Sequence, residues 1–222
     1  TGMVFFLNKG EPLGKISAEE TLKIAHEKGI PVMNDCASDA VPKENLWKYT
    51  KMGYDLVIFS GGKALRGPQS SGLLLGRKDL IDASYPAMSP FGGIGRGMKV
   101  GKEECCGLLA AVERYLKVDH DAEWKVLEER VASIRASLKA AKGLRTERYI
   151  QPIQNQVPHV TLHWDEAALG MTSQQVVEKL LANEPAIHVQ RPGKGEIMIS
   201  VWMMRGNEHE IVGRKLKQIF SA

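Results

Sequence analysis

Asp55-Leu56-Val57-Ile58-Phe59-Ser60-Gly61-Gly62-Lys63 decides the fold class of this chain. Five residues from Asp55 to Phe59 form a nearly continuous apolar, β-rich run, the pattern of a strand buried on both faces. A serine, two glycines and a lysine follow at once, which is the grammar of a strand end carrying chemistry. Upstream, Met3 to Leu7 is a second short apolar run and Ile30 to Asn34 a third, ending at Asp35. Between them Ser17-Ala18-Glu19-Glu20 spells a capping box, so a helix runs from Ser17 to about Lys28 and stops at Gly29. A short helix over Leu46 to Met52 is closed by Gly53, and Gly72 to Leu75 is one more strand, with Arg77-Lys78-Asp79 turning out to solvent. Strand, helix and strand in alternation predict an α/β fold with a mainly parallel sheet covered on both faces. In such sheets ligands gather at the carboxyl ends of the strands. Asp35, Ser60 and Lys63 lie at or just after such ends.

Downstream, Gly101 to Ala141 reads as two helices broken near Asp119-His120-Asp121. The character changes after Gly143. Val157 to Trp164 is a strand, Thr172 to Leu181 a helix opened by Thr172 or Ser173, and Asn207 to Phe220 a last amphipathic helix. Ala186 to Gln190 and Glu196 to Val201 are predicted as strands around a Pro192-Gly193 turn. The expected division is therefore a first domain over 1–143, ending in the long helices, and a small α+β domain over 144–222.

The 222 residues suffice for a substantial core, and 43% hydrophobic with 25% charged residues is ordinary for a globular chain. The net charge of +4 is spread over helices that interleave Glu103, Glu113, Glu123 and Glu128 with Lys102, Arg114, Lys117 and Lys125. That is the pattern of solvated helix faces, not of a polyanion footprint, so tRNA is not an expected partner. Aromatic residues make up only 6%, too few for an extensive base-stacking platform. Cys36, Cys105 and Cys106 have no zinc spacing, so no metal is expected, and they read as free thiols of a reducing compartment. No apolar run approaches the roughly 18 residues of a membrane span. The first residues lack the pattern of a signal peptide, so the expected location is the cytoplasm.

Lys63, Asp35 and Ser60 together suit pyridoxal 5′-phosphate (PLP). That cofactor needs a lysine amine to bond it, a carboxylate to keep its pyridine nitrogen protonated, and hydroxyls and small residues around its phosphate. Lys63 after an apolar strand is expected in a partly desolvated place. Gly61 and Gly62 allow a sharp turn and a close approach. A P-loop is excluded, because Val57 stands five positions before Gly62 and Ala64 replaces the hydroxyl residue that would meet magnesium. On chemistry alone, Lys63 reads equally as a solvated loop lysine and Asp35 as a turn or helix-capping aspartate.

The motifs Asp35-Cys36-Ala37-Ser38, Asp55 to Lys63, Gly67-Pro68-Gln69-Ser70-Ser71-Gly72 and Gly95-Arg96-Gly97-Met98-Lys99 resemble fold-type I PLP enzymes, the aspartate aminotransferase-like fold. The resemblance is to the family around selenocysteine synthase (L-seryl-tRNA(Sec) selenium transferase) and D-glucosaminate-6-phosphate ammonia-lyase, and it is strongest over residues 31–116. It implies a Schiff base on Lys63, Asp35 as pyridinium partner, and Ser60 with Gly62 at the cofactor. Arg66, Arg96 and Arg205 become candidates for an anionic substrate group, each also readable as a surface arginine. A lyase or transferase acting on an amino acid or amino sugar acid is implied, with α,β-elimination favoured. Alternatives are selenium transfer on seryl-tRNA, aminotransferase activity, or a truncated non-catalytic chain. The resemblance also implies a homodimer or higher homo-oligomer with shared sites, where Gln69, Ser70 and Ser71 reach a neighbour's cofactor. A family member would carry a further amino-terminal segment with the phosphate loop and the residue stacked on the ring. Val201-Trp202-Met203-Met204-Arg205 departs from the family pattern.

Overall fold

A computed structural model describes residues 1–221, which form two compact units. The first comprises Thr1–Val118 with Pro152–Gln156, and the second Asp119–Gln151 with Val157 onward. The division thus falls before the second long helix, whereas the sequence changes character some 25 residues later, near Gly143.

The first unit is a four-stranded sheet. Its elements run β1 (Val4–Leu7), α1 (Ala18–Glu27), β2 (Val32–Asp35), α2 (Asn45–Met52), β3 (Leu56–Ser60), β4 (Gly72–Gly76), α3 (Lys78–Ser84) and α4 (Lys102–Lys117). The strand order is β1-β2-β3-β4. β1, β2 and β3 are parallel, and β4 returns antiparallel to β3. That reversal follows from length, because the connection from Ser60 to Gly72 is too short to hold a crossover helix. Both signals around α1 operate as expected. Ser17 Oγ accepts from Glu20 N–H while the Glu20 carboxylate accepts from Ser17 N–H, and Gly29 takes the left-handed conformation at φ 65°.

Strand pleat and register divide the sheet into two faces. Val32, Asn34, Val57 and Phe59 are buried on one of them, beneath Leu22 and Ala25 of α1 and Leu46 and Tyr49 of α2. The rings of Tyr49 and Phe59 lie 6.4 Å apart. The opposite face carries Phe5, Leu7, Met33, Asp35, Ile58 and Ser60, together with Leu56, which is buried. There Phe5 is 60% and Leu7 48% exposed, and Met33, Asp35, Ile58 and Ser60 are half-buried. The expectation of cover on both faces is thus met fully on the face that α1 and α2 pack against and only in part on the other, where Leu56 is buried but the strand ends near Asp35 and Ser60 are half-open.

Arg77, Lys78 and Asp79 are exposed, as expected, but Arg77 is not without partners. Its guanidinium donates to Asp55 at 3.0 Å and to Asp79 at 2.6 Å, and Lys78 opens α3. Asp55, nearly buried at the start of β3, also accepts from Val32 N–H at 2.7 Å and sits 2.9 Å from His26 Nε2. This knot ties α1, β2, β3 and β4 at the sheet end away from Lys63.

The second unit contains α5 (His120–Ser137), β5 (Leu144–Ile150), β6 (Pro158–Trp164), α6 (Glu166–Leu169), α7 (Ser173–Leu181), β7 (Gln190–Gly193), β8 (Glu196–Ser200) and α8 (Glu208–Phe220). Its sheet is antiparallel in the order β5-β6-β8-β7. Leu127, Val131, Ile134 and Leu138 recur at helical spacing and are buried. Gly213 of α8 approaches α5 so closely that a Cβ there would lie 2.6 Å from Ser137 Oγ. The predicted strand over Ala186 to Gln190 is displaced. β7 begins at Gln190 and includes Gly193, and the turn falls at Lys194-Gly195. Gly195 (φ 62°) is needed there because a Cβ would lie 2.2 Å from the Trp164 carbonyl oxygen.

Candidate active site

β2 and β3 are parallel neighbours, with Asp35 opposite Ile58. Asp35 and Ser60, two residues further along β3, therefore lie on the same, half-open face. Asp35 ends its strand in a tight turn, its carboxylate accepting from Ala37 N–H at 3.0 Å. The chain after it stays beside β3: Cys36 N–H donates to the Ile58 carbonyl at 2.9 Å, and Ser60 N–H to that of Ala37 at 3.4 Å.

Lys63 lies in the turn beyond Ser60 and is exposed. The desolvation expected from the apolar strand is not supplied, because strand side chains point to the sheet faces and not along the axis into the turn. What reaches the amine is Ser38. Lys63 Nζ donates to Ser38 Oγ at 2.9 Å, across the gap between the β2 and β3 loops. Ser38 stands three residues after Asp35, so this bond brings the lysine to the loop that carries the carboxylate.

The turn is held by its own return strand. Gly61 N–H donates to the Ser71 carbonyl at 2.9 Å and Gly67 N–H to that of Gly61 at 2.8 Å. Gln69 Nε2 donates to the Gly62 carbonyl at 3.0 Å. A Cβ at Gly62 would lie 2.7 Å from Gln69 Cα, and one at Gly61 2.0 Å from Ser71 Oγ. The two glycines are therefore required by the approach of residues 69–71. Arg66 follows in the left-handed region (φ 57°), its N–H donating to the Lys63 carbonyl.

The other candidates lie apart from this turn in the sequence. Arg96 is exposed on the loop before α4 and donates to Ser89 Oγ at 2.5 Å. Arg205 belongs to the second unit, exposed ahead of α8, its N–H donating to the Glu208 carboxylate. Cys36 is buried, and burial, with Asp39 and Asp35 nearby, pushes its thiol well above the ordinary range. It is packing, not a nucleophile. Among the described residues no group of three His, Cys, Asp or Glu side chains is arranged to hold a metal, and no helix is long and apolar enough to cross a membrane.

The donor set fits PLP. Asp35 and Ser60 share the half-open face at adjacent strand ends, and in the loops just beyond those ends the exposed Lys63 amine meets the Ser38 hydroxyl. The model of the L-seryl-tRNA selenium transferase (SelA) family matches residues 9–220. The chain belongs to the SelA family. A SelA-family likeness extends to a Streptomyces 5′-C-glycyluridine monooxygenase-decarboxylase, 32% identical over 95% of this chain and 50% of that protein. A Salmonella typhimurium D-glucosaminate-6-phosphate ammonia lyase is 28% identical over 80% of the chain and 45% of its own length. The solved structure of a D-glucosaminate-6-phosphate ammonia-lyase superposes on the whole chain with a TM-score of 0.78 at 24% identity, covering 58% of that structure. The fold is that of fold-type I PLP enzymes, and the SelA family is a family of PLP enzymes. The chain spans about half the length of the curated relatives it matches.

Sequence reasoning missed Ser38 as a partner of Lys63 and gave Asp39 no role. Ser38 stands inside a quoted motif, but its bond to Lys63 depends on two loops meeting in space.

Proposed function

We propose that this chain is the lysine-bearing part of a PLP-dependent lyase or transferase acting on an amino acid or amino sugar acid. The observation that carries the reading is the amine of Lys63, bonded to the loop that follows Asp35 across two adjacent parallel strand ends. PLP, when bound, supplies an electron sink for negative charge developing at the substrate Cα. Lys63 would hold the cofactor and would take and return a proton at the substrate Cα. Asp35 keeps a proton on the pyridine nitrogen. Ser60 and the backbone at Gly62 would hold the phosphate, and Ser38 holds the Lys63 amine in place. Arg66, Arg96 and Arg205 are candidate clamps for an anionic substrate group. The likeness to the ammonia lyase in sequence and fold favours α,β-elimination. We infer a homo-oligomer in the cytoplasm.

The test is borohydride reduction of the PLP-loaded protein followed by peptide mapping. A phosphopyridoxyl group on Lys63, with loss of the visible cofactor band in Lys63→Ala, is the expected result. Label on another lysine, or a band that survives in Lys63→Ala, overturns the reading. A second reading, selenium transfer on seryl-tRNA, draws on the family match. It requires tRNA binding that weakens steeply with salt.

A further inference from the structure

Asp39 is the one carboxyl side chain between β2 and α2 that is buried, with only 3% of the residue exposed. Its carboxylate accepts from Gln154 N–H at 2.8 Å and from the side chain of Asn8. Asn8 is itself buried and donates to the Tyr49 hydroxyl at 3.1 Å. Burial pushes the Asp39 carboxyl above its ordinary value, and its two hydrogen-bond partners only partly offset that. A buried carboxyl is a costly way to fill space that an apolar side chain would fill at less cost. Its neighbour in sequence is Ser38, the acceptor for the Lys63 amine.

The loop around it is pinned on both sides. Asp39 N–H donates to the Cys36 carbonyl at 2.9 Å, and Asn45 Nδ2 to the Asp39 carbonyl at 2.9 Å. Tyr115 Oη donates to the Ala40 carbonyl at 2.6 Å. Those bonds fix the backbone on either side of Ser38. The Asp35 carboxylate anchors the loop on one side of Ser38, at Ala37 N–H, and the Asp39 carboxyl anchors it on the other, tying it to two segments far away in sequence, at Asn8 and Gln154.

We propose that Asp39 is a positioning residue for Lys63: its buried carboxyl, held by Gln154 N–H and Asn8, sets the place of Ser38, and Ser38 holds the amine. The assignment of a purpose to that amine rests on the PLP reading above. The test of the linkage does not, because it needs no cofactor. Trace acetylation of the protein with acetic anhydride, read by mass spectrometry of the Lys63 peptide against the other lysines, reports how freely the amine reacts. Ser38→Ala should speed labelling of Lys63 about threefold, the worth of one exposed hydrogen bond. Asp39→Leu, which removes both acceptor oxygens, should speed it by the same factor. The double variant should match either single one, because Asp39 acts through Ser38. Asp39→Asn should stay at the wild-type rate, since its Oδ1 still accepts from Gln154 N–H and the Asn8 amide can turn to suit.

A wild-type rate in folded Asp39→Leu overturns the proposal, as does a roughly ninefold rise in the double variant, the product of two independent effects. If Asp39→Leu loses its circular dichroism spectrum, Asn8→Ala replaces it. That variant should speed Lys63 labelling with no further gain from Ser38→Ala, and a wild-type rate in it overturns the proposal. Failure of PLP to bond Lys63 would leave these labelling ratios unchanged, so the two readings fail separately.

Discussion

Asp55 and Asp39 are two nearly buried carboxylates of the first unit, pushed in opposite directions by their surroundings. For Asp39 burial dominates and raises its value. For Asp55 burial also opposes the charge, but the Val32 N–H, His26 and Arg77 together outweigh it and hold the carboxyl below its ordinary value. The sign of each stability contribution follows. A lowered carboxyl stabilises the fold above its unfolded value of about 4, and that contribution is lost as pH falls through the lower folded value. Asp55→Ala should cost about 1–3 kcal/mol at neutral pH, because it leaves the buried Val32 N–H without an acceptor. Urea denaturation of the wild type and Asp55→Ala across acid pH checks this. Their difference should be largest above pH 4 or so and shrink below it. A difference that grows on acidification would show that Asp55 is held above its ordinary value.

The Ser60–Gly72 turn is the element on which the site depends, and its glycines make its geometry testable. At Gly62 the nearest obstacle to a Cβ includes the Gln69 Cα at 2.7 Å, a backbone atom that cannot swing aside. Gly62→Ala should therefore displace the return strand, break the Gln69-to-Gly62 bond and cost about 1–3 kcal/mol, as overpacking usually does. Urea denaturation measures the cost, and Gln69→Ala should not rescue it. Full recovery in the double variant would mean that only the flexible Gln69 side chain was in the way.

The same turn shows which parts of the structure local sequence can encode. Ser17 with Glu20, Gly29 and Gly53 act on neighbours three or four residues away, so α1 and α2 were legible almost to the residue. β5 was not, because Leu144 to Ile150 is Leu-Arg-Thr-Glu-Arg-Tyr-Ile, an exposed edge strand without the apolar run that marks a buried one. Gly61 and Gly62 stood out in sequence as room for a ligand, whereas the chain itself fills that room with Gln69 and Ser71. The Ser38–Lys63 bond and the Asn8–Asp39–Gln154 network join residues 25 to 115 positions apart. No spacing rule reads those.

At the scale of the molecule, the strongest unexplained feature is the loop between α3 and α4. Ile94 is 93% exposed, Met98 69% and Tyr85 62%, with Phe91 also exposed. The loop is nonetheless built. Gly95 N–H donates to the Ala87 carbonyl at 2.7 Å, a Cβ at Gly93 would lie 2.3 Å from Ala87 Cα, and the rings of Tyr85 and Phe91 meet edge to face 5.4 Å apart. A defined loop that presents apolar side chains to water is the signature of a surface meant to be covered. The proposed homo-oligomer would supply that cover by placing this loop against a second copy. The wild-type protein should then sediment as a dimer or larger at micromolar concentration. Ile94→Glu should shift it toward monomer by at least tenfold in dissociation constant, because a buried, unpaired carboxylate costs more than the 1.4 kcal/mol which that factor represents. Its circular dichroism should be unchanged, since Ile94 contributes almost nothing to the core of its own chain. A wild-type monomer would remove the oligomer reading. An Ile94→Glu oligomer of wild-type affinity would move the interface elsewhere.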